Sequence, residues 1–265
     1  MKRFSHLTIH PRLVAVFDLL FGLVFLVLLS RVNSLIIFAV WALLHTVLTA
    51  ALVMVTYYPD SWKRYRHLLS LLLFNVGMTL FLLFTEWPVA WEALGAVYIF
   101  VPAISFWLIP SRGNSLSFEV KPYRRWRLMM SWLGLAGLWT GIFASITLNI
   151  FQFNFWLWLL VGAVVSSLLA WWWWTEYEVG EASGRTGLWV LGFFLMTLEL
   201  SWVFYLLPFG YFVSGLILAW IWYWLWMLIR FYLSSAGIDW KKQGWLLVIN
   251  TTLILLFLGL LVRWR

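Results

Sequence analysis

The feature that most constrains this chain recurs along it: uncharged, apolar runs of about twenty residues, such as 35 to 57, 128 to 148 and 245 to 262. Each is long enough to cross a hydrocarbon core about 30 Å thick as a helix. With 64% hydrophobic and 11% charged residues, the chain has too few polar groups to cover a water-facing surface. The fold class expected is all-α, a polytopic transmembrane helical bundle. It is expected to form one integral membrane domain over residues 1 to 265, in the cell (inner) membrane, with no soluble domain.

Nine spans are expected, at 13 to 29, 35 to 57, 68 to 85, 93 to 109, 128 to 148, 155 to 174, 187 to 207, 209 to 229 and 245 to 262. The seventh and eighth are divided only by "LPFGY" at 207 to 211, where Pro208 and Gly210 supply a tight turn between antiparallel helices. A single helix over 187 to 229 would be far too long for one crossing. The start "MKRFSHLTIHPR" resembles the basic head of a signal peptide. The apolar run that follows is long, contains Asp18 and ends in "RVNS", so it reads as a retained first span.

The formal charge of +8 sits in short loops. Placing the N-terminus in the cytoplasm puts fifteen Lys and Arg inside and only Arg31, Arg263 and Arg265 outside, which sets the expected orientation and leaves the C-terminus outside. The acidic loop "TEYEVGEASGRT" at 175 to 186 runs against this pattern, but carboxylates carry little topogenic weight. Basic cytoplasmic loops of this kind meet anionic lipid headgroups, and no nucleic-acid motif accompanies them. The longest loop, 110 to 127, is too short for a domain of its own.

The 23 tryptophans cluster near expected span ends, as at Trp87, Trp91, Trp156, Trp158, "WWWW" at 171 to 174, Trp240 and Trp245. Interfacial anchoring is the expected role. In "WIWYWLW" at 220 to 226, Trp220 and Trp224 share one helical face while Trp222 and Trp226 share the opposite one, which girdles the helix instead of lining one pocket. Two ridges of small residues, Gly137–Gly141–Ser145 and Gly162–Ser166–Ala170, are expected to face each other or neighbouring helices. Through such faces the chain would also pair with itself or with other membrane proteins.

Few strongly polar groups lie within the spans, and these are the candidate binding residues: Glu199, His45, Asp18, Asn75 and Asn250. From helix rise, Glu199 lies about 18 Å from the cytoplasmic edge and His45 about 15 Å from the outer one, with Asp18, Asn75 and Asn250 about 8 to 11 Å from the inner edge. An ionised carboxylate in hydrocarbon costs at least a few kcal/mol, so Glu199 is expected to face the bundle interior, protonated, paired or hydrated. His45 is its candidate partner, and Asp18 with Asn75 lies on the cytoplasmic approach.

No HExxH, GxSxG, Walker or GxGxxG motif is present, and the absence of Cys removes thiolate chemistry. No catalytic residue, metal ligand set or cofactor is expected. His6 and His10 are spaced i, i+4 but have Pro11 after them and no third ligand nearby, and His45 is counted as the only histidine within a span. The sequence favours a small carrier or channel with a proton- or cation-responsive site at an intramembrane carboxylate. Its alternative is a non-catalytic membrane subunit or scaffold.

Overall fold

In a computed structural model the described residues, 9–31, 35–56, 62–109, 117–150, 154–177, 183–233 and 240–261, form nine α-helices and no strand. They are α1 (Pro11–Leu29), α2 (Leu35–Thr56), α3 (Trp62–Phe84), α4 (Pro88–Trp107), α5 (Ser117–Thr147), α6 (Phe155–Glu176), α7 (Ser183–Leu206), α8 (Tyr211–Leu233) and α9 (Trp240–Leu261). Eight of them are long and apolar enough to cross a membrane, and in α9 the apolar stretch is shorter, Gln243–Leu256. The protein is thus an all-helical, multi-pass integral membrane protein.

Local chemistry places the helix ends. Pro11 and Pro88 open α1 and α4, where a missing N–H costs nothing. Asn149, at φ 48°, ends α5 in the left-handed region that Asn tolerates, and the Ile150 N–H closes back on the Ser145 carbonyl at 3.1 Å. Asn154 then caps α6 by accepting from the Trp156 N–H at 3.1 Å. The turn expected at "LPFGY" separates α7 from α8.

Several helices begin earlier than their apolar runs. α5 starts at Ser117, so most of the expected loop 110 to 127 is helix, and α3 starts at Trp62 instead of residue 68. Hydropathy marks the part of a helix that suits hydrocarbon. Lys and Arg are good helix formers and carry the same helix beyond its apolar run. The stretches 110–116 and 178–182, together with His6, Arg263 and Arg265, lie outside the described residues.

The chain divides into two compact units, Met1–Gly137 and Leu138–Arg265, and α5 passes from one into the other. In the first unit α1 packs on α2 and α4, and α3 packs on the same two, closing a four-helix ring. The first part of α5 adds to this ring by its small residues. A Cβ added at Gly77 would fall on the Gly134 carbonyl, and one at Gly137 on the backbone of Gly77. Backbone touches backbone here, as in small-residue crossings of membrane helices.

In the second unit α6, α7 and α8 pack together, with the remainder of α5 against α6 and α8. Trp139 lies fully buried over Gly162, where an added Cβ would meet its ring at 2.5 to 2.8 Å, and Gly215 of α8 is closed by Thr140. The two small-residue ridges therefore do not face each other as matching strips. Gly137 meets Gly77 of α3, whereas the Gly162–Ser166 ridge receives the indole of Trp139.

Tryptophan divides between two roles. Trp87, Trp156, Trp171, Trp240 and Trp245 are exposed, as anchors must be, but Trp139, Trp173, Trp174, Trp222 and Trp226 are among the largest fully buried side chains. The reading of "WWWW" as purely interfacial is corrected, because helical rotation turns Trp171 outward and Trp173 and Trp174 inward. A buried indole N–H usually finds a partner, and three of these do. Trp139 donates to Ser166 Oγ at 3.1 Å, Trp222 to the Ser166 carbonyl at 3.0 Å and Trp174 to the Trp226 carbonyl at 3.4 Å.

Replacing Gly77 with Ala puts a methyl group where only backbone lies. The variant is expected to lose about 1 to 3 kcal/mol of stability, while Gly192→Ala, with nothing within 4 Å of the new Cβ, stays at or above the parent. Thermal melts of the two variants in one detergent check this.

Candidate functional site

Each helix of the four-helix ring sends a polar side chain inward: Asp18 from α1, His45 and Thr49 from α2, Asn75 and Thr79 from α3, and Tyr98 from α4. Asp18 is 2% exposed, His45 4%, Asn75 0% and Tyr98 1%. Their depths match for a simple reason. His45 and Tyr98 each lie ten residues beyond the first residue of their helix, Leu35 and Pro88, or about 15 Å along it, and α2 and α4 run the same way in an alternating bundle.

The Tyr98 hydroxyl and His45 Nδ1 are 2.6 Å apart, across the ring from each other. Tyr98 also hydrogen-bonds the Thr79 side chain and interacts electrostatically with Asp18. One turn below His45, the Thr49 hydroxyl donates to the His45 carbonyl at 2.8 Å and accepts from Asn75 Nδ2 at 3.2 Å. Aromatic rings wall the group, with Phe25 5.0 Å from the His45 ring and 5.2 Å from Tyr98, and Phe74 stacked 6.3 Å from Tyr98.

Three buried polar atoms in this cluster have no hydrogen-bond partner: Asp18 Oδ1, His45 Nε2 and Asn75 Oδ1. Buried polar atoms are ordinarily paired, so these three are exceptions that the four-helix ring shares with several atoms elsewhere in the described residues. Nδ1 is engaged with Tyr98, which leaves Nε2 as either a bare lone pair or an undirected N–H, depending on the tautomer. Among the described residues no group of three or more His, Cys, Asp or Glu is disposed to hold a metal.

A second buried polar group lies nearer the start of α3. His67, fully buried, pairs through Nε2 with Ser105 Oγ at 2.9 Å, and Ser105 donates to the Pro102 carbonyl at 2.6 Å. Arg127, 4% exposed, lies over the Tyr123 ring at 4.8 Å, and the Tyr123 and His67 rings meet near-perpendicular with centroids 5.7 Å apart. Ser131 joins α5 to Ser70 at 3.3 Å. α4 runs unbroken through Pro102, and the carbonyls beside the proline take side-chain donors, Ser105 at Pro102 and Trp126 Nε1 at Val101, 2.9 Å.

Of the five candidates from sequence, His45, Asp18 and Asn75 share the ring. Glu199 and Asn250 belong to the second unit. Asn250 accepts from Trp220 Nε1 at 3.2 Å and donates to the Leu246 carbonyl at 2.7 Å, so it ties α9 to α8. Glu199 lies on the exposed side of α7, not facing inward as expected. Thr197 and Ser201 turn toward the core, and a residue midway between them on a helix points away.

Sequence reading missed Tyr98, Thr49, His67 and Arg127. The first two look like ordinary span residues until the partner helix is known. His67 and Arg127 were assigned to loops because they precede the apolar runs, and the early helix starts bring both inside, so His45 is not the only histidine in a span. Searches of protein-family models, of curated proteins and of solved structures find no match to this chain.

Tyr98→Phe removes the partner of His45 Nδ1 and leaves both ring nitrogens unsatisfied. Destabilisation of about 1 to 3 kcal/mol is expected, against about 1 kcal/mol or less for Thr251→Val on the exposed side of α9, both read from unfolding in detergent.

Proposed function

We propose that the protein is a small carrier or channel whose proton- or cation-responsive site is the Asp18–His45–Asn75 cluster. The observation that carries this reading is the set of three unpartnered buried atoms, Asp18 Oδ1, His45 Nε2 and Asn75 Oδ1, contributed by three helices of one ring. A chain that merely needed packing there would use apolar side chains, since polar groups at this depth are costly unless satisfied. Tyr98 orients the imidazole, Thr49 orients Asn75, and Asp18 supplies the charge that a cation or proton neutralises. The same proposal takes nine crossings, with the N-terminus in the cytoplasm and the C-terminus outside, in the cell (inner) membrane, on the asymmetry of Lys and Arg.

The second reading, a non-catalytic subunit of a larger membrane assembly, has its own support. Glu199 is exposed on α7 amid Leu195, Trp202 and Val203, which are exposed as well. A carboxyl group on such a surface is stabilised by a donor from a neighbouring membrane protein or a second copy of the chain.

Reconstitution into vesicles carrying an internal pH dye separates the readings. Asp18→Asn is expected to reduce coupled proton or cation flux to the protein-free level, with Glu199→Gln retaining most of it. The reverse pattern moves the site to Glu199. Wild-type flux in both variants, or none in the parent, sinks the carrier reading and favours the subunit.

A further inference from the structure

The end of α4 and the early turns of α5 border an open groove that the polar cluster does not use. It is lined by Leu108, Lys121, Pro122, Arg125, Trp126 and Met129 and measures about 530 Å³. Lys121 and Arg125 are exposed and one helical turn apart, so their charged ends rise from the same edge of α5. The Trp126 indole is pinned by its bond to the Val101 carbonyl of α4 at 2.9 Å, which makes it a fixed wall between the two helices. Leu108 and Met129, half-buried, form the apolar floor.

The groove lies at a defined depth. The apolar span of α4 ends at Trp107 and that of α5 begins at Lys121, so the two cations stand where hydrocarbon gives way to headgroups. Met129 lies two turns further along α5, about 12 Å into the span. The groove is therefore cationic at its mouth and apolar along the direction of the bilayer. A soluble anion would use only the mouth, whereas a phospholipid fills both parts.

We propose that this groove is a binding site for an anionic phospholipid, its phosphate held by Lys121 and Arg125 and its upper acyl chain lying on Leu108, Trp126 and Met129. Arg engages phosphate oxygens with two parallel N–H donors and Lys acts as a point charge beside it. The polar ring of Asp18 and His45 plays no part in this, so the inference stands apart from the carrier reading.

The test uses the full chain in mild detergent, equilibrated with mixed micelles of phosphatidylglycerol and phosphatidylcholine bearing the same acyl chains, with bound lipid counted by native mass. The parent is expected to retain phosphatidylglycerol preferentially. Lys121→Gln combined with Arg125→Gln is expected to lower that preference about tenfold or more, whereas Arg125→Lys, which keeps the charge, and Lys241→Gln, in the first turn of α9, preserve most of it. Equal retention of the two lipids by the parent, or an unchanged preference in the double variant with its thermal melt intact, overturns the proposal. Displacement of phosphatidylglycerol by excess inorganic phosphate as readily as by the lipid itself also overturns it, in favour of a soluble-anion site.

Discussion

A polar atom carried into hydrocarbon has no water to turn to, and most of this structure is the consequence. Every backbone N–H and C=O within a span must pair inside its own segment, which leaves helices as the available form. Hydroxyls follow the same rule by bonding the carbonyl one turn back, as Thr46 does to Ala42, Thr56 to Leu52 and Thr197 to Phe193. Buried indoles follow it through Ser166, whose hydroxyl takes Trp139 and whose carbonyl takes Trp222. The rule is left incomplete at several atoms, among them Asp18 Oδ1, His45 Nε2 and Asn75 Oδ1 of the four-helix ring and Trp226 Nε1 of α8.

Close packing supplies the second condition. Without a hydrophobic drive between helices in lipid, association depends on contact area and on interhelical bonds, and the glycines create that area. Gly77, Gly134 and Gly137 bring α3 and α5 to backbone contact, and Gly162 opens the hole that Trp139 fills. The first of these contacts holds α3 in the ring and with it Asn75 and Thr79. The second fixes the indole that bonds Ser166. Small residues on one helix thus set the positions of polar residues on another.

The span pattern was legible because hydrophobic length is a one-dimensional property, and so was the Pro208–Gly210 turn, because its residue types have local meaning. Helix ends were less so: basic residues at 62 to 67 and 117 to 127 are poor in hydropathy yet good in helix propensity, and the two scales part company at the headgroups. The polar residues stand out by type, but which of them share a face does not. Depth counted along each helix put His45 beside Glu199 and Asp18 beside Asn75. Depth is only one of two coordinates, and the second, rotation about the helix axis, is set by which neighbour each helix packs against.

The sequence by itself determined that the chain is an all-helical membrane protein and which few polar side chains must be accommodated among its helices, because each of these follows from the transfer energy of local segments. Only the tertiary structure decided that Asp18, His45, Asn75 and Tyr98 line one ring, that Glu199 looks outward, and that half of the most prominent tryptophans are core and not anchors. Those outcomes depend on helix rotation, which glycine contacts and side-chain volume fix between segments far apart in the chain and which no single segment encodes.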